Sequence, residues 1–147
     1  MRSTHLGVAA VYDNVALVCR TVRLWAADEL ADEDLGPFES ALAEAVNNVI
    51  EHSYEEAPNK RLDVKFRFVP EGVAVSIFDY GKGMDPKAFD AIPATIEFDP
   101  LDLDSLPEGG MGIGIMKSVF DETTYARRAR FNRLVLKKNR EMPSGST

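Results

Sequence analysis

Cysteine is nearly missing from this chain: Cys19 stands alone among 147 residues. No internal disulfide can form, and a cysteine metal cluster is excluded. Set in the apolar stretch around Val18, it reads as a small buried hydrophobe rather than a reactive thiol. Long apolar runs are missing too, since none approaches the roughly 18 residues that cross a bilayer. The opening segment MRSTHLGVAAVYDNVAL is broken by Asp13 and offers no convincing small-residue cleavage site, so a leader is not expected. A cytoplasmic location without a membrane partner is the resulting expectation. Excess positive charge is the third absence: 17 basic against 24 acidic residues leave a net charge of −7. That balance argues against direct binding to nucleic acid, which leaves a basic footprint. It leaves nucleotides open, because a phosphate pocket depends on local donors.

The length suits one domain over residues 1–147, and 45% hydrophobic with 28% charged residues is ordinary for a globular chain. A strand is expected over LGVAAVY (6–12), then a helix capped at Asp13 and running to about Leu30 on its apolar period. The acidic ADEDLG stretch breaks that pattern. Pro37 suits the first turn of a second helix, with Phe38, Leu42, Ala45, Val46, Val49 and Ile50 on its apolar face. Alternation over 62–68, the turn Pro70-Glu71-Gly72 and the run VAVSIFDY predict an antiparallel hairpin. A third helix starts near Gly112, and a second hairpin turns around Phe131-Asn132. Residues 84–108 hold four prolines and seven acidic residues against Lys87. With little regular pattern, this reads as a lid or binding loop, and the tail from 140 to 147 reads as frayed. The class is α+β: a two-layer sandwich with helices on one face of a mostly antiparallel sheet.

Three clusters ask for a chemical explanation. In LAEAVNNVIEHSY, Glu44, Asn48 and His52 fall at i, i+4, i+8 and share one stripe beside the apolar face. An amide oxygen there can ligate Mg²⁺, and a carboxylate can take a proton from an attacking hydroxyl. On this helix alone, a solvated face explains the stripe equally well. DYGKGMD (79–85) ends a hydrophobic strand, so Asp79 can sit at the mouth of a core-lined pocket and accept from a purine amino group. Gly81 and Gly83 would let the backbone approach a ligand, although a plain turn has the same composition. EGGMGIGIMK (108–117) runs four glycines into a helix, and free N–H groups at a helix start bind anions. It is not a P-loop, because the spacing to Lys117 is wrong. Nor does it follow a strand as a dinucleotide fingerprint does.

Taken together and in order, these clusters resemble the GHKL (HATPase) superfamily over roughly residues 6–139. Glu44-Ala45-Val46-Asn47-Asn48 with His52 is similar to its N-box. Asp79-Tyr80-Gly81-Lys82-Gly83 and Gly109-Gly110-Met111-Gly112-Ile113-Gly114 are similar to its two glycine boxes. Only His5 and His52 are present, neither in a phosphoacceptor context, and a second domain of the gyrase or mismatch-repair kind is not expected at this length. What remains resembles the RsbW/SpoIIAB-like anti-sigma factor serine/threonine kinases. The resemblance implies a Bergerat-type fold, ATP and Mg²⁺ as cofactors, Glu44 as general base and Asn48 as the metal ligand. It implies Asp79, Gly81 and Gly83 around the base, and Gly109, Gly110, Met111, Gly112 and Ile113 around the phosphates, beneath a lid formed by 84–108. His52 is either a group beside the phosphates or a satisfied helix-end histidine. The implied partners are a STAS-domain anti-anti-sigma protein, phosphorylated on Ser or Thr, and a sigma factor, with a homodimer as the implied assembly. Where some members carry Arg just before the second glycine box, this chain has Glu108. A nucleotide-gated binding module that sequesters a regulator without useful catalysis is the alternative reading.

Overall fold

The computed structural model describes residues 3–54, 60–94 and 111–140. Five strands, β1 (Ser3–Ala9), β2 (Arg61–Val69), β3 (Gly72–Asp79), β4 (Glu122–Arg127) and β5 (Asn132–Asn139), form one sheet in the order β1-β2-β3-β5-β4. Every neighbouring pair is antiparallel. Four α-helices accompany it: α1 (Val15–Ala26), α2 (Asp32–Asn48), α3 (Pro86–Ala91) and α4 (Met111–Val119). The expected α+β sandwich is therefore the observed one.

Period-two alternation decides which sheet face is covered. Leu62, Val64 and Phe66 on β2, Val73, Val75 and Ile77 on β3, and Leu134 and Leu136 on β5 are all buried in one core. Against them pack Val18 and Val22 of α1, Phe38, Leu42, Ala45 and Val46 of α2, and Ile113 and Met116 of α4. Ring contacts fix the layers: Trp25 of α1 meets Phe66 at 5.9 Å, and Phe38 of α2 meets Phe120 at 5.6 Å. Cys19 lies in this core, where burial first and Glu39 second push its thiol up to about 12. The reading of it as an inert hydrophobe holds.

Several boundaries differ from expectation. β1 spans Ser3–Ala9 rather than 6–12, because its ladder ends where β2 begins, at the pair Ala9↔Arg61. A 3₁₀ turn over Tyr12–Asn14 then leads into α1, so Asp13 lies before the helix instead of capping it. The first helix stops at Ala26, short of Leu30, although Leu30 is still buried. The second helix starts at Asp32, five residues before Pro37. Its acidic first turn complements the positive end of the helix dipole, and buried Leu35 extends the apolar face N-terminally past Phe38. Finally, 84–94 is not patternless. Asp85 caps α3 by accepting from the Lys87 N–H at 3.0 Å, and Phe89 inserts into the core. The rest of the expected lid, 95–108, and the expected frayed tail beyond Arg140 lie outside the described residues.

Candidate active site

The C-terminal end of α2 does not stop as a regular helix. Val49–Ser53 form a π turn, closed by the Tyr54 N–H on the Val49 carbonyl at 3.2 Å. Such turns are uncommon and gather at functional sites. Here the wider turn brings Ser53, as well as His52, round to the face that carries Glu44 and Asn48. All four line one cleft together with Asp79, Ile113 and Met116. Met84, Phe89, Tyr125 and Leu134 complete its walls. The space between these side chains, open solvent included, is about 420 Å³.

The acidic end of the cleft is organised around Asp79, which is 2% exposed. Its Oδ1 accepts from the Ser53 hydroxyl, from Asn132 Nδ2 at 2.8 Å and from the Gly81 N–H at 3.1 Å. All three bonds fall on one oxygen, so Oδ2 is left to accept from whatever occupies the cleft. Glycine is required around this carboxylate. Gly83 has φ +72°, and a Cβ there would fall 2.7 Å from Asn132 Oδ1. At Gly81 a Cβ would come within 2.3 Å of the Ser53 carbonyl oxygen. Gly83→Ala should cost about 1–2 kcal/mol from backbone strain alone. It should lower the urea midpoint, and an unchanged midpoint would show that this loop relaxes freely.

At the other end, Glu44 and Asn48 are half-buried. Among the described residues neither makes a hydrogen bond or ion pair. Polar groups placed this way in a folded protein normally have partners, so the pair stands ready for a ligand. The first turn of α4 packs directly on Glu44: a Cβ at Gly112 would lie 2.6 Å from its Oε2. The carboxylate thus faces a helix start, where unpaired N–H groups and the dipole favour anions. His52 lines the cleft with its side chain 41% exposed, and its Nε2 lies 3.9 Å from Glu51.

A second shell of tyrosines holds this frame. The Met84 N–H donates to the Tyr125 hydroxyl oxygen at 2.8 Å; burial pushes that phenol up, with the Met84 bond opposing it. Lys117 Nζ donates to the Phe89 carbonyl and, at 2.6 Å, to that of Ile92, capping the end of α3 while lying 4.4 Å from the Phe89 ring centre. Behind Asp79, the Tyr80 N–H donates to Tyr54 Oη at 2.7 Å, and the Tyr80 hydroxyl donates to Asp63 Oδ2. Asp63 Oδ1 also takes His5 Nε2 at 3.0 Å and Arg61 at 2.9 Å. Burial pushes the Asp63 carboxyl up, but the Tyr80, Arg61 and His5 hydrogen bonds outweigh it and hold it below its ordinary 3.8. The same Asp63 bond lifts Tyr80 to about 12. A carboxyl depressed by folding stabilises above its unfolded value and loses that contribution as pH falls through the folded one. Asp63→Asn should therefore melt earlier than wild type at pH 7, with the gap closing below about pH 4. A gap that stays constant down to acid pH would show that the carboxylate's charge is not what stabilises.

Of the expected site residues, the structure brings Glu44, Asn48, His52, Asp79 and Ile113 to one cleft, with Gly81, Gly83 and Gly112 against its members. Gly109 and Gly110 lie outside the described residues, and of Met111 only its place at the start of α4 is described. Ser53, Asn132, Tyr125 and Phe89 are additions. None of them carried a local sequence signal, since each reaches the cleft only through the π turn, the sheet register or tertiary packing.

The profile of the histidine kinase-like ATPase domain matches residues 8–138. The chain is also similar to serine-protein kinase RsbW of Staphylococcus aureus (strain MRSA252), 28% identical over 98 residues, 66% of this chain and 61% of that protein. The Bacillus subtilis (strain 168) protein of the same name is 28% identical over 92 residues, 61% of this chain and 56% of its own. These matches thus span less than two thirds of the relatives' length.

Proposed function

The chain belongs to the histidine kinase-like ATPase domain family, and within it we propose an ATP-dependent serine/threonine protein kinase. Its role would be that of an anti-sigma factor in a bacterial partner-switching system, with a STAS-domain antagonist as the protein it phosphorylates. The observation that carries this reading is that Glu44 and Asn48, without a hydrogen bond or ion pair among the described residues, share one cleft with the buried Asp79 carboxylate. The similarity to proteins named serine-protein kinase supports the acceptor class.

Each residue has a task set by its chemistry. Asp79 Oδ2 accepts from the exocyclic amino group of adenine, while Met84, Ile113, Met116 and Leu134 give the base an apolar surround. The first turn of α4, Met111, Gly112 and Ile113, together with the preceding Gly109 and Gly110, would offer backbone N–H donors to phosphate oxygens. Asn48 contributes a neutral oxygen donor to Mg²⁺. Among the described residues no three His, Cys, Asp or Glu gather as a metal cage. One side chain sharing the ion with phosphate and water suits the way Mg²⁺ is held in kinase sites. Bound ATP–Mg²⁺ supplies the phosphoryl group and spreads its developing charge. Glu44 takes the proton of the acceptor hydroxyl as that oxygen becomes the nucleophile. His52, with its side chain 41% exposed, would either stand beside the phosphates or serve only as a satisfied helix-end histidine.

Incubation with terminally labelled ATP and purified STAS-domain proteins tests the reading. Label on a serine or threonine of one of them is the expected result. ATP binding with no transfer to any of them would favour a nucleotide-gated binding module instead.

A further inference from the structure

The sheet has a second face, away from the helices, and its composition runs against that of the chain. Register places its residues in cross-strand rows: Arg67, Ala74, Lys137 and Glu122 in one, and Lys65, Ser76, Val135 and Thr124 in the next. A third row holds Asp63, Phe78 and Arg133. β3 therefore supplies the floor through Ser76 and Phe78, with Ala74 fully buried beneath its neighbours. β2 and β5 supply walls of long cationic side chains. With strands roughly 4.8 Å apart, the walls stand roughly 10 Å from each other. The trough between them opens about 770 Å³ of space.

Charge is what makes this trough unusual. The chain has a net charge of −7, yet four cations, Lys65, Arg67, Arg133 and Lys137, line this one trough. Only Lys137 faces an acid, with Glu122 at 3.6 Å. Among the described residues Lys65, Arg67 and Arg133 have no ion pair. Cations without a counterion on one face of an acidic chain leave a local positive patch that a complementary anionic ligand would neutralise.

We propose that this trough is a docking groove for an extended acidic segment of a partner polypeptide, lying along β3 with carboxylates at alternate positions. Alternate residues of an extended chain recur at roughly 6.6 Å, the same repeat that separates Lys65 from Arg67. Wall spacing of roughly 10 Å admits one extended chain but not a nucleic-acid duplex. The acidic remainder of the surface would also repel nucleic acid and anionic lipid at longer range. This groove does not depend on the cleft, which lies on the helix-covered face.

The probe is the peptide acetyl-(Asp-Ala)₄-amide, titrated into the ¹⁵N-labelled full chain at low salt, with acetyl-(Ser-Ala)₄-amide as control. Amide shifts confined to β2, β3 and β5 are expected with the acidic peptide alone. Affinity should fall roughly tenfold or more when salt rises from about 50 to about 300 mM, and again in Lys65→Glu/Arg133→Glu. Should that variant not fold, Lys65→Gln/Arg133→Gln serves, its integrity checked by unchanged amide shifts elsewhere. Equal binding of the neutral peptide, or shifts on the helix face, would overturn the groove. Tighter binding of a single-stranded oligonucleotide or of phosphatidylglycerol vesicles would overturn the partner class. Self-association that protects these strands would replace the partner by a second copy.

Discussion

Asp79→Asn should weaken ATP binding on the order of a hundredfold or more, the largest loss of affinity expected from any single change in the cleft. The reason is donor bookkeeping. Asp79 Oδ1 receives the Ser53 hydroxyl, Asn132 Nδ2 and the Gly81 N–H, which leaves Oδ2 for the adenine amino group. An asparagine has one oxygen for these two jobs. With its oxygen kept toward Asn132 and Gly81, its NH₂ meets the adenine amino group donor to donor. With the amide flipped, the NH₂ meets Asn132 and Gly81 instead. Losing a hydrogen bond to a charged group costs about 1.5–3 kcal/mol, and stranding a buried donor adds about 1–3 kcal/mol. Roughly 1.4 kcal/mol corresponds to each tenfold in affinity. Calorimetric titration of both proteins with ATP measures the loss. A purine nucleoside triphosphate lacking the amino group should be far less sensitive to the change. Affinity for ATP within about threefold of wild type would remove Asp79 from base recognition, since that is less than one kcal/mol.

Much of this arrangement was legible in the sequence because it rests on periodicity. Glu44 and Asn48 fall on one stripe at helical spacing, and 3.6-residue geometry carries both into the cleft. The β2–β3 hairpin was legible for the same kind of reason: alternation over 62–68 and a Pro70-Glu71 turn leave one register, with Val69 opposite Gly72. Ser53 was not legible as a site residue. A regular helix would carry position 53 about 100° round from His52, and only the π turn brings both to the cleft. Asn132 looked like part of a hairpin turn, and its bond to Asp79 spans 53 positions of sequence. No local pattern encodes such a contact. The start of α2 was hidden differently: Pro37 favours a first turn, but buried Leu35 and the acidic residues 32–34 stabilise a helix that begins five residues earlier.

Glu44→Gln separates chemistry from binding. The substitution keeps the shape of the side chain, and Glu44 makes no hydrogen bond or ion pair among the described residues, so the fold loses no contact there. What it cannot do is take up the proton of a serine hydroxyl. Phosphoryl transfer to a STAS-domain protein should fall about 10²–10⁴-fold, the usual worth of a placed general base, while ATP affinity changes little. The loss should appear in kcat, as expected for a group that acts only in the transition state. Asp79→Asn should behave in the opposite way, losing affinity first and recovering transfer at saturating ATP. Measuring both variants by calorimetry and by single-turnover transfer gives a crossed result that general misfolding cannot produce. Wild-type transfer rates in Glu44→Gln would mean that another group removes the proton, and His52, the remaining titratable side chain along that stripe of the cleft, would be the next to replace.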